Sequence, residues 1–165
     1  MKTKAEMIAS LDESRQIMRE VLRDLQSARD AGGEITPAWT IKEMLAHLTG
    51  WDTSSTTTLR THAAGETPGT PAAADRNFVR FNAENIHAHE DLSLEQMTQV
   101  WEDAREAFKQ AIRELPDDKA AQPFVSAWGQ TIKLDGFVHI FAEHEIEHAH
   151  EVREKLLGHS GEAQA

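Results

Sequence analysis

The sequence predicts an all-α protein: an antiparallel four-helix bundle with a short extra helix between its second and third long helices. Three observations carry that expectation. Apolar residues recur at helical spacing in four long stretches, near 3–28, 40–63, 94–115 and 131–157. Two capping boxes mark helix starts, Thr40-Ile41-Lys42-Glu43 and Ser93-Leu94-Glu95-Gln96. No stretch alternates apolar and polar residues in the manner of a strand. At 165 residues the chain suits one domain, 1–158, followed by a frayed tail, 159–165.

The first helix repeats Met7 or Ile8, Leu11, Met18, Leu22 and Leu25, with charged residues between them. Ala31-Gly32-Gly33 supplies the glycine that commonly follows a helix C-terminus. In the second helix Ile41, Met44, Leu45, Leu48, Trp51 and Leu59 form one stripe. His47 falls on the shoulder of that stripe and Asp52 almost in its centre, where an unpaired carboxylate is costly. Gly65 to Ala74, with two prolines and two glycines, reads as a loop. The short helix, about 75–88, is expected to pack through Phe78, Phe81 and Ile86, with His87 and His89 solvated at its end. The next long helix buries Leu94, Met97, Val100 or Trp101, Ala104, Phe108, Ala111 and Leu115, and Pro116-Asp117-Asp118 stops it. Residues 117–130 hold Phe124 and Trp128 without periodicity, as expected of an apolar loop over one end of a bundle.

The last stretch, Thr131 to Leu157, carries the chemistry. Projected at about 100° per residue, Phe137, Ile140, Phe141, Val152 and Leu156 share one apolar stripe. His144 and His148 fall in the middle of it, within about 40° of one another, while His139 and His150 project to the opposite face. A buried imidazole needs a partner for its ring nitrogens. One such histidine alone reads as a satisfied core residue. Two at i and i+4, with His47 on a facing helix, read instead as three nitrogen ligands of a divalent cation. Zn2+ suits such a site first, with Ni2+, Co2+, Fe2+ or Mn2+ also compatible. The chain has no cysteine, so disulfides and thiolate ligands are excluded.

Charge and patterning exclude other classes. With 28 acidic against 17 basic residues the formal charge is −11, which argues against nucleic acid as a partner. No run approaches the roughly 18 apolar residues of a membrane span. The N-terminus lacks the apolar core of a signal peptide, so a cytoplasmic location is expected. No phosphate-binding glycine loop and no nucleophile elbow is present.

WTIKEMLAHLTGWD (39–52), followed by HEIEH (144–148), resembles the DinB-like (DinB/YfiT-like) superfamily of metal-dependent enzymes. That grouping includes thiol-dependent transferases and the maleylpyruvate isomerase metal-binding domain. PFVSAWGQTIKLDGF (123–137) is similar to its ClbS/DfsB-type four-helix subset. The resemblance implies His47, His144 and His148 as metal ligands and a homodimer as the assembly. It also implies a site that activates water or a low-molecular-weight thiol against a small electrophilic substrate, as a transferase or hydrolase. Many relatives continue the last histidine as HRGQ; here Ala149-His150-Glu151 follows His148, so no role of that Arg or Gln carries over. Asp52 and Glu147 are the expected proton-handling groups, with Glu143 farther round the helix. The alternatives are a bundle that binds a small molecule without catalysis, and a ClbS-like resistance or stress-protection protein.

Overall fold

The computed structural model describes residues 2–28, 33–35 and 39–158. Among these, the long helices are α1 (Lys4–Ala28), α2 (Ile41–Ala63), α4 (Leu94–Glu114) and α6 (Leu134–Val152). Two short ones join them, α3 (Val79–His87) and α5 (Asp117–Ala120). Both capping boxes close. Thr40 N–H donates to Glu43 Oε2 at 2.6 Å, and Gln96 N–H donates to Ser93 Oγ at 3.1 Å. The all-α four-helix bundle with a short helix between its second and third long helices is the one expected, except that not all its neighbouring helices are antiparallel; the tail from His159, and Ala31-Gly32, lie outside the described residues.

Polar contacts fix the helix directions. Lys42 donates to the carbonyls of Glu90 and Leu92, Asp52 meets Arg105, and His62 donates to the Lys119 carbonyl, so α2 and α4 run parallel. Arg15 with Glu145 and Asp24 with Arg153 make α1 and α6 parallel as well. Lys4 beside Leu115 and Arg19 beside Glu102 set α1 antiparallel to α4. His47 near His148, with Trp51 near Phe141, sets α2 antiparallel to α6. The order is therefore up, down, down, up. Parallel neighbours need a crossover as long as the bundle, and the segment from Ala64 to Ser93 that contains α3 provides it. Gly50 lets α3 lie close on α2: a Cβ there would fall 2.2 Å from Asn85 Cγ.

Three local features differ from the sequence reading. The short helix does not run unbroken from 75; a 3-10 turn, Arg76–Phe78, precedes it, with Asn77 (φ 59°) and Phe78 (φ 57°) in the left-handed region. Residues 117–130 are not a bare loop. They hold α5 and begin a minimal antiparallel hairpin, β1 (Phe124–Val125) with β2 (Thr131–Ile132), in register Phe124↔Ile132. The last helix consequently starts at Leu134 rather than Thr131. Strands of two residues are too short to show alternation, so no sequence period betrays them.

The interior is not wholly apolar. Arg15, Asp52, Arg105 and Glu145 are all buried, one from each long helix. Arg15 reaches Asp52 at 3.1 Å and Glu145 at 2.8 Å; Arg105 reaches the same two carboxylates at 2.8 and 2.7 Å. The Arg15 guanidinium also stacks 3.7 Å from the Trp101 ring centroid. Of the four, the sequence reading placed only Asp52 in an apolar row; the structure buries all of them, two cations facing two anions that neutralise one another inside the bundle.

Candidate metal centre and its pocket

Helix α2 offers His47 from a fully buried position, and α6 offers His144 and His148 from half-buried ones. Their Nε2 atoms converge: His47 lies 3.0 Å from His144 and 3.2 Å from His148, and His144 lies 3.0 Å from His148. All three sequence-predicted ligands are thus brought together. His139 and His150 stay exposed.

The outward ring nitrogens decide what the inward ones can do. His47 Nδ1–H donates to Asn82 Oδ1 at 3.1 Å, and His148 Nδ1–H donates to Glu151 Oε2 at 3.0 Å. Neither acceptor can donate in return, so in the neutral, ligating form of the rings the Nε2 atoms of His47 and His148 carry lone pairs that face each other. Facing lone pairs at that distance repel, and a cation between them removes the conflict. Ligands about 2.0–2.1 Å from a tetrahedral zinc stand about 3.3 Å apart, close to the observed triangle. The donor set therefore fits a divalent metal, with Asn82 and Glu151 orienting two of the rings in the usual manner. Burial, reinforced by His148, pushes the His47 pKa down to about 3, against the pull of Asn82. Burial, then His148, His47 and Arg105, pushes His144 down to about 2. Both rings are neutral, as ligation requires.

The other expected residues fall in different places. Asp52 does not line the pocket: five residues beyond His47 on α2, it turns into the ionic cluster and is tied to Arg15 and Arg105. Its burial has a structural cause, and the expected proton-handling role is corrected on that ground. Glu147 and Glu143 are exposed at the pocket mouth. The apolar stripe of α6 is also rotated from the projection. Val138, Ala142, Glu145 and Ala149 are buried, whereas Ile140 is 40% exposed. The histidines sit at the edge of the core, beside a cavity, rather than in its middle.

That cavity has a volume of about 640 Å³ and is walled by aromatic rings. Trp51 is its hub, with ring centroids 5.2 Å from Phe78, 6.1 Å from Trp128 and 6.3 Å from Phe141. Trp39 packs on His47 at 4.6 Å. Sequence reading missed Asn82 and the wall-forming Trp39 and Trp128. It also missed Glu151, although its i+3 spacing from His148 was visible.

Residues 11–143 match the family of the mycothiol maleylpyruvate isomerase N-terminal domain. The chain belongs to that family. Within the mycothiol maleylpyruvate isomerase N-terminal domain family, the matched segment contains His47 and stops one residue short of His144. The HxxxH pair is thus placed at the site by the fold. Solved structures agree on that fold. The mycothiol-dependent maleylpyruvate isomerase superimposes with a TM-score of 0.67 at 18% identity, covering 92% of this chain and 63% of that one. A histidine-to-alanine variant of the same protein gives the same values. The chain thus spans less than two thirds of the length of these neighbours. No curated protein matches it in sequence. Among the described residues, no helix is long and apolar enough to cross a membrane.

Proposed function

We propose that this chain is a metal-dependent enzyme domain that turns a low-molecular-weight thiol, or water, against a small electrophile bound in the aromatic cavity. His47, His144 and His148 would hold the cation, zinc first. The observation that supports this most is the triangle of Nε2 atoms whose opposite ring nitrogens are already committed to Asn82 and Glu151. A divalent cation held there supplies Lewis acidity, which lowers the pKa of a bound water or thiol toward neutrality.

The chain's own residues do the rest. Asn82 and Glu151 keep two imidazoles in the tautomer that faces inward. Trp51, Trp128 and Phe141 exclude water and hold the electrophile against the histidine end of the cavity. Glu147 and Glu143, at the mouth, are positioned to accept the proton that leaves the nucleophile and pass it to solvent. The thiol reading is supported by the family, whose name includes mycothiol, and by the lack of any cysteine to act as a resident sulfur nucleophile. Mycothiol is accordingly the first thiol to test. The reaction is a transfer when the sulfur stays on the product and a hydrolysis when water attacks. A cytoplasmic location, where small thiols stay reduced, belongs to the same proposal. So does a homodimer, proposed on the family resemblance; light scattering that returns a monomer at high micromolar concentration removes it.

Metal content of tag-free protein is the first measurement. Stoichiometric zinc or another divalent metal is expected, lost in His148→Leu with the fold retained, because that ring is only half-buried. Thiol-dependent consumption of a generic aryl electrophile, present in wild type and absent in the variant, completes the test. Tag-free protein that neither retains nor takes up metal would sink the proposal and favour the metal-free ClbS-like reading.

A further inference from the structure

Resting on the function just proposed, we propose that the walls of the cavity beside the histidines, apart from the cation itself, select an uncharged, aromatic-sized, apolar substrate and disfavour carboxylates. The walls carry the first part. Trp51, Trp128, Phe78 and Phe141 contact one another through ring centroids 5.2 to 6.3 Å apart, so they form one preassembled surface. Their polar handles are already spent. Trp51 Nε1–H donates to Asn82 Oδ1 and Trp128 Nε1–H donates to Gln130 Oε1, both at 3.0 Å. What faces the cavity is π surface, which takes flat apolar groups in stacked or edge-on packing. The Phe78 ring belongs to a residue held at φ 57°. A bulky side chain in that region is strained, and such strain gathers at ligand sites.

Charge carries the second part. Among the described residues lining the cavity there is no lysine or arginine, while Glu143 and Glu147 stand at its mouth. Arg15 and Arg105 lie deeper and are neutralised by Asp52 and Glu145. An entering carboxylate would lose water beside two like charges and meet no lysine or arginine from these walls, only the exposed imidazole of His139 beside Glu143. Maleylpyruvate, for which the structural neighbour is named, is a carboxylate, and these walls offer such a group no lysine or arginine. A volume of about 640 Å³ lies within the usual range of about 300–1,000 Å³ for ligand pockets.

The test compares two probes that share one ring system, uncharged 2-naphthamide and anionic 2-naphthoate. Each is titrated calorimetrically into the full chain after chelator treatment, so that carboxylate–metal bonding does not enter. The amide is expected to bind about tenfold tighter or more. Replacing Glu143→Gln together with Glu147→Gln should narrow that gap. Ile140→Lys, at the exposed lip of the cavity, should close or reverse it without disturbing the core. Equal or tighter binding of 2-naphthoate to wild type, or no binding of either probe, overturns the inference. Metal content is read separately on the same preparations. A chain that prefers the amide yet holds no metal defeats the proposed function and leaves the cavity's preference standing. A metal-holding chain that prefers the naphthoate does the reverse.

Discussion

At the scale of single residues, the geometry of the candidate site depends on groups outside the three histidines. Asn82 Oδ1 is shared between His47 Nδ1–H and Trp51 Nε1–H, so one amide sets both the tautomer of a ligand and the orientation of the cavity's central ring. Asn82→Ala should weaken zinc binding by about 10–100-fold, the usual cost of losing such an orienting partner. Asn82→Asp, which keeps the acceptor, should restore most of it. Competition titration against a chromophoric chelator reads both. Unchanged affinity in the alanine variant would mean that His47 is oriented by packing alone. The three histidines were legible because i, i+4 spacing and an A-H-L context survive in one dimension. Asn82 was not, since polar residues of a short helix with an apolar stripe look solvated until another helix is brought against them. Asp52 misled for a related reason: a carboxylate in an apolar row announces a buried partner without saying whether that partner is a substrate or an arginine.

At the scale of elements, periodicity and caps placed all four long helices to within a few residues. The misses were short: a two-residue hairpin and a left-handed break at Asn77-Phe78, both below the length at which a period exists. The approach of α3 to α2 is set by Gly50, which sits mid-helix where glycine is otherwise unfavourable. A methyl group there would lie 2.2 Å from Asn85 Cγ and 2.6 Å from its Cβ, so a rotamer change of Asn85 is not enough and α3 must move. Gly50→Ala is therefore expected to cost about 1–3 kcal/mol as an overpacking change, despite the better helix propensity of alanine. Because α3 carries Asn82, the same variant should also lose zinc affinity. Chemical denaturation and zinc titration measure the two effects. A variant as stable as wild type would show that α3 is not pinned at this contact.

At the scale of the whole molecule, two features join the four helices: the ionic cluster and the histidine site beside it. The cluster takes one residue from each long helix, so it favours one helix order over others that would bury the same apolar stripes. Removing a single member strands a buried charge. Arg105→Met should cost about 3–5 kcal/mol, whereas replacing all four members by apolar residues of similar volume should recover much of that loss. Equilibrium unfolding in urea reads both. Burial also pushes the Glu145 carboxyl above its usual range, against the pull of Arg105 and Arg15. The histidine site adds a pH dependence whose sign can be worked out. His47 and His144 are held down to about 3 and about 2, below the roughly 6.5 of a free imidazole. Between those values the native state binds fewer protons than the unfolded chain. Their contribution to stability is therefore full above about pH 6.5 and is lost as pH falls toward the folded values. Zinc acts in the same direction, since it ligates neutral rings; it should add about 2.7 kcal/mol when free metal is 100 times its Kd. Wild type in chelator should melt at a falling temperature from about pH 7 to about pH 5, and the increment given by zinc should shrink over the same interval. His47→Leu combined with His144→Leu should abolish the zinc increment and flatten the acid slope, because rings that resist protonation are replaced by side chains that do not titrate. Thermal melts of both proteins, with zinc and with chelator across that range, measure the linkage. Indifference of wild type to zinc with the acid slope intact would make the three imidazoles ordinary core histidines, and a wild type as flat as the double variant would mean that burial does not hold His47 and His144 neutral.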